Sequence, residues 1–388
     1  MKKIILTYLH ELRCCTSDIG VMVFLLLVPL GYPLLYSYIY SRQVVRDIPV
    51  AIVDHSQSNM SRTFTRNTDA TPDVAIAYNC SDIPSARQLM KENKVKGIIY
   101  IPQDFGAKIS EGRQAHVSIF CSMASFFYYK AILVACTEVS LALNSSIQAQ
   151  HLAGATAEEI ITATSPLPDK AVGISNPTEG FANFIIPAIL ILVLQQVQLL
   201  GIGMRMGTEY EKNGGQHPTL GIKRIVGRGA AYLTLGLPVA AYALCVVPHI
   251  FGLPQLAGGA TLALFALPYL LSCIFLAMTL GNIVHSRESA MLLFVFTSIP
   301  LLFLSGISWP GSSVPLLWKI FSYLFPSTPA INGFVAINNM GATLADVSFE
   351  YSILWIQSIV YFIASAAITG NKLHSRYQAK NTKHKVFD

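Results

Sequence analysis

The sequence predicts an α-helical membrane protein with six transmembrane helices and an extracytoplasmic α/β domain inserted after the first. Three observations carry that expectation. Only 12% of the 388 residues are charged and 53% are hydrophobic, where soluble domains carry about 25% charged residues. Six apolar runs are each long enough to cross a bilayer, at roughly 19–40, 181–204, 229–251, 257–283, 289–308 and 350–369, and none holds Asp, Glu, Lys or Arg near its centre. Residues 41–180 interrupt this pattern with charged, alternating helix and strand character.

In chain order, residues 1–18 open with KKIILTYLHELR, in which Ile4, Ile5, Tyr8, Leu9 and Leu12 share one helical face, with Lys3, Thr7, His10 and Glu11 toward the other. An amphipathic helix of this kind suits the inner membrane surface; plain topological anchoring is the blander use. Ile5, Leu9, Leu12 and Arg13 are its candidate interface residues. The run 19–40 is too long for a signal-peptide core and lacks a clean cleavage site, so it is read as a retained first span.

Within 41–180, strands are expected at 48–55, 73–79, 95–102 and 114–122, and helices at 58–69, at 81–94 with Ser81 as N-cap, and at 126–163. Near-continuous apolar strands separated by helices suggest a sheet covered by helices. Asp54 and His55 end a strand, but neither a nucleophile motif nor a metal-ligand spacing accompanies them, and His55 and His116 read as surface or capping residues. Cys80 and Cys121 fall at predicted strand ends; a bridge and two buried free thiols are both open readings.

Residues 181–370 hold the other five spans. Lys2, Lys3 and Arg13, then Arg205, Lys212, Lys223, Arg224 and Arg228, then Arg287, then Lys372, Arg376, Lys380, Lys383 and Lys385 alternate with connections poor in basic residues. The rule that basic loops stay inside therefore puts both termini, including the basic tail 371–388, in the cytoplasm. The net charge of +6 gives no reason to propose nucleic acid. The segment 205–228 reads as a charged cytoplasmic loop with Glu209 and Glu211 beside Arg205 and Lys212, either a force-transmitting protrusion or an ordinary solvated turn. Asn183, Gln195, Gln196 and Gln198 put amides into an otherwise apolar second span, as helix–helix hydrogen bonds or as a substrate path. Residues 306–334 are too apolar for a loop and too rich in Pro and Gly for one span.

No ATP-binding loop is present, and no carboxylate or lysine lies within a span to relay an ion, so transport would need an energy source on another chain. A membrane-anchored receptor or scaffold acting through its external domain is the rival class. A lipid-modifying enzyme would need a reactive constellation that the sequence does not offer.

Five stretches together resemble the type-2 ABC exporter permease family, particularly members with a large external domain after span one. They are IPVAIVDHSQSNMSRTF (48–64), VKGIIYIPQDFGAKISEGRQAHVSIF (95–120), ISNPTEGFANFIIPAILILVLQQ (174–196), GTEYEKNG (207–214) and SGISWPGSSVPLLWKIFSYLFPSTPAINGF (305–334). The resemblance covers essentially the whole chain, and the order of the motifs makes it specific. It implies a non-catalytic transport subunit of the inner membrane that binds no cofactor or metal itself, with ATP and Mg on a partner ATP-binding cassette subunit. It implies a second permease copy or paralogue, contact with membrane lipid, and, in a cell with two membranes, a periplasmic adaptor and an outer-membrane channel. Arg205, Gly207, Thr208, Glu209, Glu211 and Lys212 would contact the ATPase, although the usual Arg-Glu-x-Glu-x-Gly-Thr order is not kept. Broken helices in the outer leaflet at 306–334, with Ser305, Gly306, Trp309, Pro310 and Pro326, would form an outer gate.

Overall fold

A computed structural model describes residues 1–41, 44–122, 126–151, 176, 180–218, 221–306, 309 and 311–384. The chain divides into two units, one of residues 1–43 with 173–388 and one of residues 44–172.

The second unit is a four-stranded sheet in the order β2-β1-β3-β4. Strand β1 (Ile48–Asp54) pairs in parallel with β2 (Val74–Asn79) and β3 (Gly97–Ile101), and β4 (Ser118–Cys121) lies antiparallel to β3. Because side chains alternate along a strand, Val50 and Ile52 face one layer with Phe64, Ile132 and Val139, while Ala51 and Val53 face the other with Ala86 and Ile98. That two-sided burial explains the unbroken apolar run of β1. After α1 (Lys2–Ser17) and α2 (Ile19–Ile39) of the other unit, α3 (Asn59–Asp69) and α6 (Phe126–His151) cover the first face, α4 (Ile83–Lys91) covers the second, and α5 (Phe105–Ser110) follows β3. The predicted cap Ser81 is corrected by one residue. Asp82 accepts from the amide of Ser85 at 3.1 Å, which starts α4 at Ile83. The long helix expected over 126–163 is described to His151, and 152–163 lies outside the described residues. Cys80 and Cys121 are free thiols.

In the first unit, α1 (Lys2–Ser17) meets α2 (Ile19–Ile39) at Asp18, whose carboxylate accepts from the amides of Gly20 and Val21 and caps the second helix. Then come α7 (Phe181–Lys212), α8 (Ile222–Ile250), α9 (Gly259–Leu280), α10 (Arg287–Leu304), α11 (Leu316–Ser322), α12 (Ser327–Met340) and α13 (Ser348–His384). Among the described residues, seven helices are long and apolar enough to cross a membrane; they include α6, one face of which lies on the sheet. Pro310 of the expected outer gate and Lys385 of the basic tail lie outside the described residues.

Two of these helices widen for one turn into π geometry, at Val23–Leu27 and at Tyr242–Val246. In each case a proline follows two residues later, Pro29 and Pro248. A proline ring collides with the carbonyl four residues back, and a wide turn moves that carbonyl aside.

Helix α7 is the central element: 89% of its most apolar window is buried. Its glycines let neighbours approach, since a Cβ at Gly203 would meet the Phe294 ring and one at Gly207 would meet the backbone of Ser286.

Helices α11 and α12 form a pair bent by 86°. Irregular backbone is tolerated at membrane depth only when its polar groups are satisfied by protein or water. Here side chains do so. The amide of Ser327 donates to Gln195 Oε1 at 2.7 Å, Gln357 Nε2 donates to the Tyr323 carbonyl at 2.6 Å, and the Tyr361 hydroxyl donates to the Leu324 carbonyl. Helix α12 ends at Gly341, whose left-handed φ of 69° closes the last turn.

Gln195→Leu should strand the Ser327 amide in an apolar interior and cost about 1–3 kcal/mol. The expected outcome is a lower melting temperature of the purified chain in detergent than for Gln103→Leu, which alters an exposed turn.

Candidate functional site

The charged end of the bundle is built around Glu11. Helix α1 lies along α8, and a Cβ at Gly227 would sit 2.8 Å from the Ile4 carbonyl, so only glycine permits that approach. The inward stripe of α1 runs through Ile4, Thr7, Tyr8, Glu11 and Cys15, spaced by three or four residues. Glu11 is 0% exposed. Its Oε1 accepts from the Tyr232 hydroxyl at 2.6 Å and lies 3.2 Å from Arg205 Nε, while its Oε2 lies 3.2 Å from Arg228 Nε. Arg228 Nη2 also donates to Glu209 Oε1 at 2.5 Å. Two carboxylates thus meet two guanidinium groups, and the cluster is electrically neutral. Burial of ions is tolerable under that condition, whereas removing one partner leaves an uncompensated charge.

Glu11, grouped by its sequence with Lys3, Thr7 and His10 on the polar face, is the most enclosed polar residue of the helix. Ile5 and Leu9, assigned to the interface, are 52% and 54% exposed; Leu12 is half-buried and Arg13 exposed. Ile5 and Leu9 are exposed along with Lys3 and His10, while Ile4, Thr7, Tyr8 and Glu11 turn toward the protein.

The segment 205–228 is helical at both ends, with a connection from 213 to 221. Arg205 to Lys212 are the last turns of α7, and Ile222 to Arg228 are the first turns of α8. Arg205 and Gly207 are buried, the Thr208 hydroxyl donates to the Met204 carbonyl, and Glu209 is half-buried on Arg228. Glu211 and Lys212 are exposed. Sequence reasoning missed Glu11, Tyr232 and Arg228 as members of one cluster.

A second tie fixes the corner between α1 and α2. Arg287 Nη2 donates to Asp18 Oδ1 at 2.8 Å, and the Arg287 amide donates to Glu211 Oε1 at 3.3 Å. Burial works against the Asp18 carboxylate, but the Val21 amide and the Arg287 guanidinium outweigh it and hold its pKa below the ordinary value. Near the same end, the rings of Tyr210, His217 and His285 cluster, with centroids 4.6 and 5.0 Å from Tyr210.

From the first turn to the middle of α7, the amides expected to line a substrate path are all enclosed. Asn183, Gln195, Gln196 and Gln198 are 2%, 0%, 8% and 1% exposed. Gln195 serves the elbow between α11 and α12. The Asn183 carbonyl accepts from Asn339 Nδ2 at 2.9 Å, and Asn338 Nδ2 donates to the Pro254 carbonyl at 2.9 Å, so the entry of α7 is tied to α12 and to the turn before α9. Of the expected gate residues, Ser305 is buried at the end of α10, Gly306 has a left-handed φ of 86°, Trp309 is exposed and Pro326 is the buried N-cap of α12. The structure brings Pro326 to Gln195 through Ser327, and it brings none of these residues to Glu11.

A family model described as ABC-2 family transporter protein matches residues 19–367. The chain belongs to the ABC-2 transporter family. It is also 23% identical over 367 residues to the linearmycin resistance permease protein LnrN of Bacillus subtilis (strain 168), a match covering 87% of this chain and 92% of the relative. The ABC-2 protein is therefore a multi-pass membrane permease, and its family implies an ATP-binding cassette partner.

Cys15 is a built-in reporter of how α1 seats on this permease. It is fully buried, and burial, followed by the charge of Glu11, pushes its thiol up to about 12. In a Cys14→Ser background, Cys15 should resist maleimide at pH 7.5. Glu11→Ala, which leaves Arg205 without a carboxylate and Arg228 with Glu209 alone at a cost of about 3–5 kcal/mol, should expose Cys15 to rapid labelling, followed by mass spectrometry of the 2–17 peptide.

Proposed function

We infer that the chain is the permease subunit of an ATP-driven exporter that moves an amphiphilic or hydrophobic molecule, drug-like or lipid, outward from the cytoplasm or inner membrane. The observation that carries this reading is the Glu11 cluster. It joins the membrane-surface helix α1 to the adjacent ends of α7 and α8, and the exposed Glu211 and Lys212 sit on that same body. A soluble motor pressing on this end would move three helices at once. The relative is by name a resistance permease, which supports outward transport.

In this reading the six spans are α2, α7, α8, α9, α10 and α13. Helix α6 belongs to the sheet unit, which is extracytoplasmic, and α11 with α12 is a re-entrant outer gate. An even number of spans puts both termini on one side, and Lys2, Lys3, Arg13, Lys223 and Arg224 assign that side to the cytoplasm. ATP and Mg are bound and hydrolysed on the partner. A second permease copy or a paralogue completes the transporter, and an adaptor and outer-membrane channel extend it where the cell has two membranes.

The test is purification from the native cells in mild detergent. The expected outcome is a stoichiometric ATP-binding subunit that is lost, with the permease still folded, when Glu211 and Lys212 are exchanged in charge as Glu211→Lys with Lys212→Glu. A clean complex with no nucleotide-binding partner would instead favour a receptor or scaffold acting through the sheet unit.

A further inference from the structure

Helix α1 crosses α8 at a surface that carries surplus positive charge. The Ile4 carbonyl and Thr7 meet α8 at Gly227. Lys2 and Lys3 belong to the turn of α1 that holds Ile4, and Lys223 and Arg224 belong to the turn of α8 that precedes Gly227. Lys2, Lys3, Lys223 and Arg224 therefore lie within about one helical turn of a single contact. All four are exposed, as is Arg13 further along α1. None of the five has an ion-pair partner among the described residues. The carboxylates of the same end are engaged elsewhere, Glu11 and Glu209 on Arg205 and Arg228, and Asp18 on Arg287.

Apolar side chains stand uncovered between these cations. Ile5, Leu6 and Leu9 of α1 and Ile222 of α8 are all exposed. At 3.6 residues per turn, Lys2, Leu6, Leu9 and Arg13 fall on one stripe of α1, so its apolar middle is bounded by a cation at each end. An acidic protein surface would answer the cations but not the leucines. A bilayer surface with negatively charged heads answers both. Acyl chains meet the apolar groups, and the long stems of lysine and arginine carry their charges up to the phosphates. A zwitterionic head brings its own cation to balance its phosphate, whereas here the surplus cations belong to the protein.

We propose that the α1–α8 crossing binds the head of an anionic phospholipid from the leaflet on which α1 lies. Lys2, Lys3, Lys223 and Arg224 hold the phosphate, and the acyl chains lie over Ile5, Leu6 and Leu9. The site rests on the reading of α1 as the membrane-surface helix of an exporter. It lets lipid composition act on the seat of α1, and so on the Glu11 cluster beneath it.

The test uses the full chain in detergent micelles holding equal amounts of phosphatidylglycerol and phosphatidylcholine with matched acyl chains, read by native mass spectrometry. The expected result is phosphatidylglycerol retained in excess. Lys2→Gln with Lys3→Gln, and separately Lys223→Gln with Arg224→Gln, should each lower that excess by about fivefold for every cation removed. Lys223→Arg should keep it. Maleimide protection of Cys15 in a Cys14→Ser background shows that α1 is still seated in each variant. On the unaltered chain, phosphatidylglycerol carrying a diazirine in its acyl chain should label the 2–13 and 222–230 segments more than its phosphatidylcholine counterpart does. Equal retention of the two lipids, an excess that both double variants leave unchanged, or an excess lost instead in Lys319→Gln, an exposed cation of α11, overturns the proposal. Loss of a co-purifying ATPase from the double variants with the lipid excess intact assigns the cations to that partner and also overturns it. Neither lipid readout involves ATP. An ATPase complex without lipid preference therefore removes only the lipid site, and a phosphatidylglycerol-selective chain without an ATPase keeps the site and removes the exporter.

Discussion

One carboxylate enclosed by two guanidinium groups holds the charged end of this permease together. Glu11 has no access to solvent, and Arg205, Arg228 and Tyr232 all converge on it from α7 and α8. A hydrophobic contact in its place would let α1 slide along α8, because apolar packing is not directional. A buried ion pair with defined hydrogen bonds fixes register, since every shifted arrangement strands a charge. The close approach at Gly227 and the capped corner at Asp18 follow from that register.

The second constraint is the broken backbone between α11 and α12. Its open amide and carbonyls are met by Gln195 from α7 and by Gln357 and Tyr361 from α13. Helix α7 therefore carries both contacts. Gln195 and Arg205 are ten residues apart, about 15 Å along a helix, with no proline between them. The charged end and the elbow are thus joined by one continuous, buried helix. That continuity gives the functional reading its mechanical content.

Much of the architecture was legible in the sequence because hydropathy and strand alternation report burial directly. Each apolar run coincides with a helix and passes its ends by at most four residues, and β1 to β4 fall inside the expected strands. The enclosure of Glu11 was not legible. In a soluble protein the apolar stripe of a helix faces the core; beside a membrane the solvent is reversed, and Ile5 and Leu9 turn outward while Glu11 turns in. Likewise, charge at Arg205 ends a hydropathy run but does not end a helix, so α7 continues to Lys212 where a loop was expected. The amides of α7 were recognised as unusual, yet only the elbow explains Gln195, because its partner is a main-chain group 132 positions away that no side-chain pattern announces.

The account stands on α1 moving as one body with the ends of α7 and α8. The most direct measurement is the maleimide reactivity of Cys15 in the permease–ATPase complex, compared between the nucleotide-free state and a state trapped with ATP and vanadate. The account predicts that Cys15 stays protected in both, because the Glu11 cluster travels intact. Protection lost on trapping would mean that α1 separates from α8 during the cycle, and the cluster would then be a latch that opens rather than the joint described here.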